Sequence, residues 1–193
     1  WNDWSAATLS VRGRLPWQGR NGALAVNGTD INVGTVLDSL QLDATGSLQH
    51  LQVEGKAHNA MGAIALSGSA QQRGNNWQGT LDTLRLSVAR GTDWTLQQPA
   101  RFAQQGSNWT LSQTCLGAAG GGSLCANANW PGKGVEIQGD ALPLTLLQPW
   151  LPHVDNREML LRGAIDLDGR VRPVGNRWQG NLDVTSSEGG LRL

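Results

Sequence analysis

Two cysteines, three histidines and a scatter of carboxylates are the side chains able to do chemistry here, and their spacing gives few of them a partner. Cys115 and Cys125 bracket Leu-Gly-Ala-Ala-Gly-Gly-Gly-Ser-Leu, whose glycines let the chain double back. A structural zinc site needs four ligands, and no histidine stands near this pair. The residues alone leave two readings: a disulfide, the default in an oxidising compartment, or two reduced thiols in a core. A disulfide closing so short a loop would stabilise the fold by about 2.5–3 kcal/mol. His50, His58 and His153 are dispersed and read as surface residues. Gly121-Gly122-Ser123-Leu124-Cys125 carries Cys where a nucleophile elbow has its last Gly. Asp166 and Asp168 sit two apart, on one strand face, without the further oxygen ligands of a calcium loop. No two carboxylates stand out as a glycosidase pair. Catalytic, metal and cofactor residues are therefore all read as none.

Asn27-Gly28-Thr29 and Asn108-Trp109-Thr110 match the N-glycosylation pattern, but in this Gly/Asn-rich setting both asparagines read as turn residues. Gly120-Gly121-Gly122 is no phosphate cradle, since neither a lysine nor a helix start follows it. Nine Trp stand against one Phe and no Tyr, mostly beside Gln, Thr or Pro at segment edges. Packing at sheet ends and rims is the first reading of them, and contact with lipid or a stacked ligand the second.

Composition narrows the function classes. Lys plus Arg number 15, as do Asp plus Glu, so the formal charge is zero. That balance argues against nucleic acid as a partner and against polybasic attachment to an anionic membrane. Only 16% of residues are charged and 26 are glycine, and the 39% hydrophobic share is too high for a disordered chain. No run reaches the 18 apolar residues of a membrane span. The opening Trp-Asn-Asp-Trp resembles neither a start methionine nor a signal peptide, so residues 1–193 are expected to be one segment of a longer protein.

The elements that must position these residues are strands. Leu9, Val11, Gly13 and Leu15 alternate with Thr8, Ser10, Arg12 and Arg14. The same period recurs at Leu51 and Val53; at Leu84, Leu86 and Val88; at Val135 and Ile137; at Leu161, Gly163, Ile165 and Leu167; and at Leu182 and Val184. Successive strand side chains point to opposite faces, so each segment has one apolar and one polar side. Asn21-Gly22, Asn27-Gly28, Arg73-Gly74-Asn75-Asn76 and Asp168-Gly169 read as turns between them. Helix signal is confined to Pro143–Leu151, which Pro149 limits to a turn or a short 3₁₀ element, and to a short piece at Val36–Leu40. Trp-Gln-Gly occurs at Trp17, Trp77 and Trp178, and Trp-Thr-Leu at Trp94 and Trp109, as successive strands of one long sheet would produce. So much one-sided apolar surface must close into a barrel, pair into a sandwich or curl around a groove. The sandwich is the default. A groove would leave its apolar lining to acyl chains, at about 0.8 kcal/mol per buried methylene.

From Trp94 onward the chain resembles a known family. The residues that carry the likeness are Trp94-Thr-Leu-Gln-Gln-Pro-Ala-Arg-Phe102, Trp109-Thr-Leu-Ser-Gln-Thr-Cys115-Leu116, Ser123-Leu124-Cys125, Trp130-Pro131 and Leu142-Pro-Leu-Thr-Leu-Leu-Gln-Pro-Trp-Leu-Pro152. Leu161-Arg-Gly-Ala-Ile-Asp-Leu-Asp-Gly169 fits the same strand style. Together they resemble the TamB family among the AsmA-like bridge proteins of Gram-negative bacteria. The resemblance implies an all-β fold, a long curled antiparallel or mixed sheet forming a β-taco groove with an apolar interior and one or two short helical turns. It implies a periplasmic location, with the whole protein anchored in the inner membrane by an N-terminal helix that this segment lacks. A disulfide between Cys115 and Cys125 follows from it, as does an outer-membrane Omp85-type partner, TamA, bound through regions outside this segment. The function it implies is non-enzymatic: shielding apolar cargo, either phospholipid or unfolded outer-membrane protein strands, in barrel and autotransporter assembly or in lipid transport between membranes. The cargo-lining positions expected on that basis are Leu9, Val11, Leu51, Val53, Leu84, Leu86, Val88, Val135, Ile137, Ile165, Leu167, Leu182 and Val184. The competing expectation is a carbohydrate-binding or carbohydrate-cleaving β-helix or sandwich with tryptophans stacked on sugar rings.

Overall fold

The structure, a computed structural model, describes residues 5–14, 21–32, 36–89, 91–146, 160–175 and 177–192, with the side chains of 160 and 187–192 outside that description. The strands are β1 (Thr8–Arg14), β2 (Gly22–Asn32), β3 (Val36–Ser47), β4 (His50–Asn59), β5 (Gly62–Arg73), β6 (Asn76–Val88) and β7 (Trp94–Leu96). They continue with β8 (Ala100–Gln105), β9 (Asn108–Ala118), β10 (Ser123–Trp130), β11 (Gly134–Pro143), β12 (Leu160–Val174) and β13 (Arg177–Arg192). All lie in one antiparallel sheet whose spatial order follows the chain. The exception is between β6 and β9, where β7 pairs one half of β6 and β8 the other. Pro99 stands at that break and lacks the N–H that a continuous strand would need.

Cross-strand partners share a face, so register carries the alternation from strand to strand. One row runs Leu9, Gly28, Leu40, Ala57, Ile64, Leu86, Trp94. The next runs Val11, Val26, Leu42, Gly55, Leu66, Leu84. The opposite face is polar and hydrogen-bonded across strands: Thr8 to Thr29 at 2.7 Å, Ser67 to Thr83 at 2.7 Å, and Asn127 donating to Glu136 at 3.2 Å. Four register breaks interrupt the ladders, at Ser67/Gly68, Ala126/Ala128, Gly139/Leu142 and Ala164/Asp166. Such bulges bend a strand and add local twist.

Among the described residues the buried hydrophobics are Ala44, Trp94, Ala100 and Leu142, and no large side chain is fully buried. A sandwich of this size would fill its interior with interdigitated side chains; among the described residues this sheet is a single layer. Close backbone contacts run between hydrogen-bonded neighbours, and the sheet order starts at β1 and ends at β13 without closing. The default sandwich is thereby overturned, and so is a β-helix, whose strands would be parallel.

Other expectations change as well. Val36–Leu40 opens strand β3 instead of forming a helical piece, because Val36 and Leu37 pair with Asn32 and Ile31 of β2. Of Pro143–Leu151, Pro143 ends β11 and residues 144–146 form a single 3₁₀ turn; the rest lies outside the described residues. Asn27-Gly28 and Asp168-Gly169 are not turns but lie within β2 and β12. Their glycines make room for neighbours: a Cβ at Gly28 would stand 2.6 Å from Ile31 Cδ1, and one at Gly169 would stand 3.2 Å from Leu182 Cδ1. Asn108 does follow a turn, as the first residue of β9. Gly74, at φ 61°, makes the tight β5–β6 hairpin that the sequence indicates. No helix among the described residues is long and apolar enough to cross a membrane.

Candidate functional site: an uncovered apolar sheet face

The thirteen expected cargo-lining residues fall on one face. Leu9 and Val11 lie on β1, Leu51 and Val53 on β4, and Leu84, Leu86 and Val88 on β6. Val135 and Ile137 lie on β11, Ile165 and Leu167 on β12, and Leu182 and Val184 on β13. The register joins them through residues that the sequence reading did not single out: Leu24, Val26, Leu40 and Leu42, then Ile64 and Leu66, then Phe102, Leu111, Leu116 and Leu124. Those on β3 and β5 do alternate, but small residues dilute the pattern, as at Ala44, Ala65 and Ala70. Exposure is greatest at the two ends of the sheet, where Leu9 is 62% and Leu182 65% accessible. Leu51, Val53, Leu84 and Leu86 are half-buried by neighbours on both sides.

The face has two unlike lips. One, the tight-hairpin lip, is made by the hairpins after β3, β5, β8 and β12 and by the turn after β10, and β1 ends and β2 begins there; the other, the longer-connection lip, holds the connections after β2, β6, β9 and β11 together with the two-residue β4–β5 hairpin at Ala60-Met61. Trp77, Trp109, Trp130 and Trp178 all lie on the apolar face at the tight-hairpin lip, as their register with Gln72, Gln104, Trp109 and Pro173 requires. Trp130 and Trp178 stack with ring centroids 4.7 Å apart and planes at 23°. Trp94 is the buried tryptophan near the other lip, opposite Leu86 and Ala118. Trp1, Trp4, Trp17 and Trp150 lie outside the described residues. The Trp-Gln-Gly echo has a packing cause at both described copies. Each glycine lies on the apolar face two residues beyond its Trp, and a cross-strand side chain occupies the space of a Cβ: Phe102 Cζ at 2.5 Å from Gly79, Val171 Cγ2 at 3.1 Å from Gly180.

Two clefts differ in character. A cleft of about 210 Å³ near the longer-connection lip is lined by Leu37, Ala57, Met61, Ile64, Leu86 and Val88. A larger one, about 750 Å³, is lined by the polar-face side chains Gln52, Ser69, Gln78, Thr80, Arg101 and Ser112, with the strand residues between them. It gathers hydroxyls and amides around one arginine.

Several described titratable residues hold the backbone or one another. Asp166 Oδ1 accepts from the backbone N–H of Ala141 at 2.8 Å, holding the bulge where Ala141 takes φ 48°. Asp168 accepts from Gln138 Nε2 at 3.3 Å. His50 and His58 are exposed, and His58 Nδ1 lies 3.3 Å from Asp38; His153 lies outside the described residues. Arg85 donates to Asp93 at 2.6 Å, and that hydrogen bond holds the Asp93 pKa below its ordinary value. Arg170 forms an ion pair with Glu136. Among the described residues no group of three or more His, Cys, Asp or Glu is placed to hold a metal. Cys115 and Cys125 are direct cross-strand partners on β9 and β10 and form a disulfide. It lies on the polar face, since the adjoining Leu116 and Leu124 pair on the apolar one.

Compared with known proteins, the chain matches over residues 1–192 a family model described as TamB, N-terminal domain. No curated protein and no solved structure matches it.

Proposed function

The chain belongs to the TamB N-terminal domain family, and on that premise we propose that residues 1–193 are one β-taco section of a longer periplasmic protein that shields apolar cargo in outer-membrane biogenesis. The observation that carries the proposal is the apolar face itself, continuous across the strands, covered by no second layer among the described residues and lined by Leu, Val, Ile and Trp. A surface of this kind is unfavourable in water unless something occupies it. A phospholipid acyl chain or the apolar side of an unfolded outer-membrane strand would fit it, each buried methylene contributing about 0.8 kcal/mol. No chemical step is involved: the sheet lowers the cost of holding hydrocarbon in an aqueous compartment. The inner-membrane anchor and the TamA-type partner belong to other parts of the protein in this reading. The unpaired edges of β1 and β13 are where further strands of the groove, or a client strand, would add.

A photo-crosslinking side chain at Ile165 tests the proposal in cells. Asp168 is the outward control, because Asp166 is needed to hold the bulge at Ala141. Lipid or outer-membrane protein adducts at 165 with none at 168 are expected; equal labelling at both would overturn it. Lipid adducts identify a conduit, and adducts to nascent barrel proteins alone an assembly surface.

A further inference from the structure

The zero net charge conceals an uneven distribution of unpaired cations between the two lips. At the tight-hairpin lip Arg14 ends β1, Arg73 ends β5, Lys133 lies in the β10–β11 turn, and Arg172 and Arg177 flank the β12–β13 hairpin. Among the described residues none of these five is ion-paired, and Arg172 donates to Gln179 at 3.1 Å. Glu136, near the start of β11 at this lip, is already paired with Arg170. The opposite lip is mixed: Asp30, Asp38, Asp93 and Asp140 share it with Lys56, Arg85 and Arg162, and Arg85 is paired with Asp93. The four aligned tryptophans are on the basic lip.

We propose that the tight-hairpin lip is a headgroup site for an anionic phospholipid whose acyl chains lie on the apolar face. This rests on the apolar-cargo reading above and deepens it. An amphiphile laid on the face must bring its headgroup out at a lip, and one lip concentrates unpaired cations while the other is mixed in charge. Arg and Lys bind phosphate by charge-assisted hydrogen bonds; by register Arg14, Arg73, Arg172 and Arg177 lie on the polar face at this edge, so they meet a headgroup that emerges past the hairpins. Indole rings favour the same level, with an apolar body and an N–H that faces water and headgroups. The other lip, where acids and cations are mixed, offers no comparable cluster of unpaired cations among the described residues. The dimensions agree. One leaflet's depth of hydrocarbon, about 15 Å, covers about five strand residues at ~3.3 Å each, which leads from Trp109 through Leu111 to the middle of β9.

The test is lipid uptake by the purified chain from vesicles of phosphatidylglycerol or phosphatidylcholine with identical acyl chains, read by native mass spectrometry. At low salt the wild type is expected to take up phosphatidylglycerol at least about fivefold in preference, and the preference should shrink as salt screens the lip. The combined variant Arg73→Gln, Lys133→Gln, Arg172→Gln and Arg177→Gln should lose the preference yet keep its phosphatidylcholine uptake, which reports an intact face. Equal uptake of both lipids by the wild type overturns the headgroup site and leaves the apolar face as a lipid surface. Preference that persists in the variant also overturns it. No uptake of either lipid overturns lipid as the cargo, and the headgroup site with it.

Discussion

At the scale of single residues, the fold depends on a few side chains whose roles differ from their first appearance. Cys115 and Cys125 join adjacent strands on the polar face. The double variant Cys115→Ser, Cys125→Ser should lower stability by about 2–3 kcal/mol in urea denaturation, and the native wild type should present no thiol to an alkylating reagent. Gly79 faces Phe102 and the carbonyl oxygen of Ser69. Gly79→Val should therefore destabilise by about 1–3 kcal/mol through overpacking, while a side chain at the open hairpin position Gly74 meets no neighbour. Asp93 should titrate by NMR below the usual aspartate value of about 3.9, and Arg85→Gln should return it there. Because its folded pKa is the lower one, the Arg85–Asp93 contact stabilises the fold above the ordinary aspartate value and is lost as pH falls through the depressed one. The cysteine pair was legible because a glycine-rich decapeptide step brings two strands back on themselves. Gly28 and Gly169 were misread because the sequence shows that a glycine is present, not whether it frees a turn or clears space for Ile31 or Leu182.

At the scale of elements, period two proved the reliable signal and its interruptions the informative ones. The alternating segments are all strands, and the misread Val36–Leu40 became one too because pairing with β2 supplied the hydrogen bonds that an isolated helical turn would have needed. The bulges were not legible, since an extra residue that keeps the apolar set on one face looks like a lapse in alternation. Leu81 and Leu84 share the apolar face across such a break, as do Gly139 and Leu142. The clearest clamp on a bulge is Asp166, which accepts the Ala141 N–H. Asp166→Ala should cost about 1 kcal/mol in denaturant unfolding, whereas Asp168→Ala, which loses only an exposed contact to Gln138, should change stability by less than about 0.5 kcal/mol. An equal cost at both positions would contradict that role for Asp166. The tryptophans also belong to this scale. Their place beside turn residues was visible in the sequence, but their common lip emerges only when the register aligns β6, β9, β10 and β13.

At the scale of the whole molecule, the family and the one-sided sheet were legible, and the layer count was not. Alternation tells which side chains share a face but not whether a second sheet covers that face, so the default sandwich and the actual single layer have the same sequence pattern. The basic lip was hidden for a similar reason: cations and carboxylates balance along the chain, and the unpaired cations gather only when antiparallel pairing brings alternate turns to one end. If the apolar face stays open to water and receives hydrocarbon, its side chains must sense added lipid. An environment-sensitive fluorophore attached at Thr83, Leu84, Arg85 and Leu86 in turn, with the native disulfide retained, reports this through its emission before and after phospholipid is added. A lipid-induced blue shift is expected at Leu84 and Leu86, with Thr83 and Arg85 unchanged. A shift at all four positions, or emission at Leu84 and Leu86 that is already blue and indifferent to lipid, would contradict it.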